Sequence, residues 1–181
     1  LHRRRIWNAG EARWIGWERK RGKLHELNRW LRGARDTTFL PAAAGAATEP
    51  PPAVRYVLTL DADTRLPRGA ARQLIGKMAH ALQQPSLDAT TGRVHEGHAV
   101  LQPRITPALP DANHASWYQR LYAGPCGIDP YASAVSDVYQ DLLGEGSYAG
   151  KGIYDVDAFE FALAGRVPDN TVLSHDLLEG V

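Results

Sequence analysis

Between Val57 and Leu60 the chain runs through Val, Leu, Thr and Leu without a charge, then turns polar at Asp61-Ala62-Asp63-Thr64. A short apolar run of this kind predicts a buried strand, here one that ends where two carboxylates stand one residue apart. Residues two apart on an extended strand share a face, and a turn at the strand end would re-aim them. Downstream, Leu74, Met78 and Leu82 recur at four-residue spacing with Ala71 and Ile75 on the same side. That spacing predicts a helix from Pro67 to about Leu82, with Pro67 or Arg68 in its first turn. Upstream, Leu24, Leu27 and Leu31 lie three and four apart and predict a helix over 23–32, opened by Gly22-Lys23 and stopped at Gly33. A lysine beside such a helix start can reach an anion that also meets free backbone N–H groups.

The remaining elements are shorter. Residues 99–105 read as a strand, 116–122 as a helix or aromatic turn, and 124–130 as a loop. Asp157 and Glu160 have the spacing of a capping box for a helix through Leu163, which Gly165 would end. Thr171-Val172-Leu173 is a short β-type run leading into Ser174-His175-Asp176, with a helix beginning at Leu177. Residues 41–53, rich in Pro and Ala, read as a surface loop or insertion. Strand, acidic turn and helix in succession are the grammar of an α/β fold, whose ligands collect beyond the carboxyl ends of strands.

Composition narrows the setting. The chain has 181 residues, one domain's worth, and no apolar run near the roughly 20 residues that cross a bilayer. Cys126 is the only cysteine, which excludes an internal disulfide or a thiolate metal site and fits a reducing compartment. With Leu1 first and Met78 the only methionine, the chain is expected to be a segment of a longer protein. Residues 1–35 hold eleven Lys/Arg against three Asp/Glu, while the rest is net acidic. The basic segment also carries Trp7, Trp14, Trp17 and Trp30, but no nucleic-acid module accompanies it, so no nucleic-acid partner is expected.

The acidic pair is the strongest chemical signal. Two hard oxygen ligands at a strand mouth suit a divalent cation that in turn carries phosphate; the plainer alternative is one helix-capping Asp and one solvated Asp. Gly150-Lys151-Gly152 is not a P-loop, because Glu145 stands at the required glycine and Gly152 replaces the Ser/Thr after the lysine. His95 and His98 are three apart beside Gly97, not four apart on a helix as a zinc protease needs. An Asp-x-Asp-Thr after an apolar run also opens phosphatases of the haloacid-dehalogenase type, but their later Gly-Asp cluster is missing.

Longer stretches carry a resemblance. Glu18-Arg19-Lys20-Arg21-Gly22-Lys23-Leu24, Asp61-Ala62-Asp63-Thr64, Ala134-Val135-Ser136-Asp137-Val138-Tyr139-Gln140-Asp141, Gly150-Lys151-Gly152-Ile153-Tyr154-Asp155-Val156-Asp157 and Leu173-Ser174-His175-Asp176-Leu177-Leu178-Glu179 follow in this order. In them the chain resembles GT-A glycosyltransferases of the processive, cellulose-synthase-like kind, and most closely the glycosyltransferase region of bacterial cyclic β-1,2-glucan synthases. The resemblance implies a single partial GT-A (Rossmann-like) domain over 1–181, a mixed sheet flanked by helices. It implies inverting transfer of glucose from UDP-glucose to a β-1,2-glucan acceptor, at the cytoplasmic face of the bacterial inner membrane, with membrane contact through regions outside this chain. Asp63 would hold Mg²⁺ or Mn²⁺, and Asp61 would share the metal or sit by the nucleotide sugar. Lys23, Lys151 and His175 would line the substrate, and Asp176 would be the catalytic base. His175 stands where the wider family usually has Glu. A non-catalytic segment that binds a nucleotide sugar or a partner is the alternative.

Overall fold

A computed structural model describes residues 1–41, 49–103, 105, 115–122, 142–143, 148 and 150–170. The expectations for 124–130 and for 171–181, including His175 and Asp176, lie outside the described residues, as do residues 42–48 of the surface loop. The chain opens with a hairpin of β1 (Ile6–Asn8) and β2 (Arg13–Ile15), followed by helix α1 (Arg19–Leu31). Strand β3 (Tyr56–Thr59) leads through the acidic turn to helix α2 (Ala70–Met78). A second hairpin, β4 (Ser86–Asp88) with β5 (Arg93–Glu96), precedes the short β6 (Val100–Leu101) and helix α3 (Trp117–Tyr122). Strand β7 (Gly152–Asp155) runs directly into helix α4 (Val156–Leu163).

The central sheet has the order β3-β7-β6, with β7 antiparallel to both neighbours. The architecture is therefore mixed α/β with small antiparallel sheets, and every strand pairing among the described residues is antiparallel. Alternation along the strands divides the core between two faces. Leu58 and Ile153 join Leu74 and Met78 of α2 on one side, while Val57 and Tyr154 join Val156 and Phe159 of α4 and Leu31 of α1 on the other. Met78 and Tyr154 are fully buried.

Several boundaries move from where the sequence put them. Helix α2 occupies the middle of the predicted 67–82 span; Leu82 is exposed, in a 3₁₀ turn after Met78. Asp155, not the Asp157/Glu160 box, caps α4: its carboxylate accepts the amides of Asp157 and Ala158 at 3.2 Å each. Glu160 instead faces α1, accepting from Asn28 at 2.7 Å and meeting His25 Nδ1 at 2.6 Å. Helix α1 starts at Arg19, so Gly22-Lys23 lies within it rather than at its mouth, and the anion site expected of a helix start does not form at Lys23. Gly22 is needed for another reason: a Cβ there would collide with the Trp17 carbonyl oxygen.

The face that α1 turns inward is more polar than its leucines suggested. Glu26 and Asn28 are buried, whereas Leu24, Leu27 and Leu31 are half-buried. Glu26 accepts from Thr38 N at 2.8 Å, Thr38 Oγ1 at 2.7 Å and Arg3 Nη1 at 3.1 Å, so its burial is compensated. Tyr154 OH donates to Asn28 Oδ1 at 2.8 Å, which ties α1 to the middle strand of the sheet. Much of the basic character of residues 1–35 is consumed internally: Arg3, Arg13, Arg19, Arg21, Arg29 and Arg32 each pair with a carboxylate of the chain.

Candidate functional site

Antiparallel pairing decides what meets Asp61. Thr59, the last residue of β3, sits opposite Gly152, the first of β7. Two residues beyond Thr59 is Asp61, and just before Gly152 are Gly150 and Lys151, so the register brings the acidic turn against the Gly-Lys segment. Gly152 cannot be replaced cheaply, since a Cβ would lie 2.5 Å from the Leu101 carbonyl oxygen of β6. Behind the junction Thr59 Oγ1 meets Tyr148 OH at 2.9 Å and donates to the Gly152 carbonyl at 3.2 Å, all buried. The floor of the site is thus buried and hydrogen-bonded.

Asp61 itself is held by two lysines from different elements. Lys20 Nζ, in the first turn of α1, donates to Oδ1 at 3.0 Å, and Lys151 Nζ lies 2.8 Å from Oδ2. Lys20 also donates to the Gly150 carbonyl at 2.7 Å. The Lys151 and Lys20 ammonium groups hold the Asp61 carboxyl below its ordinary value of 3.8, against a weaker opposing effect of burial. The three side chains keep between 25% and 38% of their surface exposed, so solutes reach them.

The acidic turn separates its two carboxylates. Thr64 N donates to the Asp61 carbonyl at 3.0 Å, closing a turn in which Asp61 is half-buried and Asp63 exposed. Asp63 has no ion pair among the described residues, and neither does Lys23, which is exposed on α1. Of the residues expected from sequence, the structure brings together Asp61 and Lys151, leaves Asp63 and Lys23 at the surface, and does not describe His175 or Asp176. The lysine that sequence reasoning missed is Lys20. Its signal was the leucine stripe: one step of four back from Leu24 lands on Lys20, a cation in line with residues that face the molecule.

The donor set can be tested against a divalent cation. Two carboxylates have the right hard-oxygen chemistry. Both oxygens of Asp61 are engaged by ammonium groups, however, and among the described residues no three His, Cys, Asp or Glu gather into a metal-binding group. In this arrangement the triad does not fit a metal; two cations around one carboxylate leave a net positive patch suited to an anion. His98 Nδ1 meets Gln83 Oε1 of the 3₁₀ turn at 2.6 Å, while His95 is exposed on β5.

A cavity of about 630 Å³ lies at the other end of the sheet, lined by Arg32, Arg55, Asp155 and Asp157 among others. Its charges are mutually satisfied: Arg55 Nε donates to Asp155 at 3.0 Å and Arg32 Nε to Asp157 at 2.6 Å. Among the described residues no helix is long and apolar enough to cross a membrane.

No family model matches the chain. Over 180 residues, 99% of its length, it is 56% identical to the cyclic beta-(1,2)-glucan synthase NdvB of Rhizobium meliloti (strain 1021). The chain spans 6% of that protein. It is homologous to one segment of a glucan synthase, as the motifs around Lys23, Asp61 and Lys151 led one to expect.

Proposed function

We propose that this chain forms the donor side of a GT-A-type glucosyltransferase site, passing glucose from UDP-glucose to a growing β-1,2-glucan with inversion. The observation that carries the reading is the net positive Lys20, Asp61 and Lys151 triad beyond the end of β3, in a chain homologous to a segment of a glucan synthase. In such a transfer the bond from the anomeric carbon to the diphosphate breaks and a bond to the acceptor oxygen forms on the opposite face. The departing diphosphate needs positive charge around it, and Lys20 and Lys151, with Lys23 nearby in the chain, supply it. The acceptor hydroxyl must lose its proton; Asp176 is the carboxylate we assign to receive it, and His175, its neighbour in sequence, is assigned to substrate binding. Asp63, exposed next to the triad, is the carboxylate left for Mg²⁺ or Mn²⁺, whose chemistry there would be further neutralisation of the diphosphate. Action at the cytoplasmic face of a bacterial inner membrane belongs to the same reading.

The test uses the protein at its full natural length. UDP binding by calorimetry should weaken at least about tenfold in the Lys20→Met/Lys151→Met double variant, the scale of losing two charge-assisted contacts. Asp176→Asn should abolish incorporation of labelled glucose while leaving UDP binding nearly intact. Unchanged UDP binding in the lysine variant, or normal turnover in Asp176→Asn, would contradict these assignments.

A further inference from the structure

Asp169 and Asn170, which follow α4, are gripped by residues from the opposite end of the chain. The Asn170 amide donates to Glu18 Oε1 at 2.9 Å, and the Asn8 side chain of β1 donates to Asn170 Oδ1. Asp169 accepts from Trp17 Nε1 at 3.3 Å and, more loosely, from Arg21 Nη2 at 3.5 Å. Glu18 is itself fixed: Arg21 Nη2 pairs with its other oxygen at 2.8 Å, and the Arg21 and Glu18 side chains keep only 12% and 8% of their surface exposed. Asn170 has φ +60°, a left-handed conformation that asparagine adopts more readily than most residues. The start of α1 thereby holds three other segments at consecutive positions. Glu18 takes Asn170, Arg19 takes Glu11 of the first hairpin at 2.8 Å, and Lys20 takes Asp61 at 3.0 Å.

We infer that Glu18 and Asn170 form a clamp that sets the point from which the chain leads on to Asp176, and that both are positioning residues for removal of the acceptor proton. The inference rests on the nucleotide-sugar reading and on Asp176 as its base. Chain length gives the clamp its leverage. Asp176 is six residues beyond Asn170, so its Cα lies within about 22 Å of that residue. Counted from the end of α4 at Leu163, the path would be thirteen residues and reach about 47 Å. Lys20, two residues from Glu18, lies within about 7 Å of it. One helix start thus carries a cation of the donor side and the root of the segment that supplies the base. Misplacing a reacting group by about 1 Å can cost about a hundredfold in rate, so an anchor that touches no ligand can still govern turnover.

The experiment compares the full-length protein with its Asn170→Pro, Asn170→Gly and Glu18→Ala variants, with Asp176→Asn alongside. UDP affinity is read by calorimetry and kcat from incorporation of labelled glucose at saturating UDP-glucose. Proline removes the donated N–H and cannot adopt a positive φ, whereas glycine keeps both. Asn170→Pro and Glu18→Ala should lower kcat about ten- to a hundredfold while the Kd for UDP changes less than about twofold, and Asn170→Gly should keep kcat within about threefold of the unaltered protein. A merely structural joint would move UDP affinity and kcat together. That outcome would overturn the inference, as would unchanged kcat in Asn170→Pro and Glu18→Ala, or an Asn170→Gly variant as slow as Asn170→Pro. Normal turnover in Asp176→Asn would remove the base assignment and the inference with it; an inactive Asp176→Asn beside normal clamp variants would overturn the clamp alone.

Discussion

The paired strands β3 and β7 carry an aspartate with cationic partners at each end, and the two ends are built to opposite purposes. At the Tyr56/Asp155 end the carboxylate is buried, accepts the first amides of α4 and is bound by Arg55. At the Thr59/Gly152 end Asp61 is partly exposed, its carboxylate caps no helix, and it is held by two long, flexible lysines. A planar guanidinium and fixed backbone N–H groups make a closed structural joint. Two ammonium groups on flexible stems make contacts that can be exchanged for another anion. The pairing of acid with base is thus not what marks a site; the marker is whether the acid has other partners that hold it in place.

The difference is large enough to measure. Asp155→Ala removes a helix cap and a buried acceptor, which together are worth about 2–3 kcal/mol, and should speed amide exchange of Asp157 and Ala158 by about thirty- to a hundred-and-fiftyfold. Asp61→Ala should leave those amides unchanged and alter stability by less than about 1 kcal/mol, the value of exposed pairs. Equal effects at the two ends would erase the distinction. Asn28→Ala comes next. It strips Tyr154 OH and Glu160 of a partner at about 1–3 kcal/mol, and by loosening α1 it should weaken UDP binding through Lys20 without touching the ligand. Unaltered UDP binding in that variant would mean that α1 positions Lys20 without help from this seam.

The smallest effect is acid dependence. Asp61 and Asp157 are both held below the ordinary value of 3.8, the first by Lys151 and Lys20, the second chiefly by Arg32. A depressed folded value stabilises the fold above the unfolded value and is lost as pH falls through the folded one. Stability should therefore drop below about pH 3.8, and Asp61→Asn or Asp157→Asn should each flatten that fall slightly, as read from unfolding at pH 3 and pH 6. A steeper acid fall in either variant would contradict the assignment of its ion pairs.

Parts of this were legible from residues alone. The strand before Asp61, the helix around Leu74 and Met78, and the re-aiming turn all follow local patterns, because each depends on neighbours within a few positions. The register was not legible: nothing near Asp61 says that β7 will lie antiparallel to it, yet that pairing brings Lys151 to its carboxylate. Lys20 escaped because the leucine stripe was not followed back past Gly22; α1 begins three residues earlier, with Glu18 and Arg19 in left-handed conformations at its start. The cap of α4 was misplaced by two residues because Asp155 and Asp157 are both plausible caps, and only the end of β7 decides between them.

Hydrogen-exchange mass spectrometry of the full-length protein, with and without UDP, tests the division between the two ends most directly. Peptides covering 16–24, 58–64 and 150–153 should gain protection on adding UDP, while those covering 53–56 and 155–160, at the Arg55/Asp155 joint, should not change. Protection confined to the second group, or shared equally by both, would contradict the assignment of ligand binding to the exchangeable end.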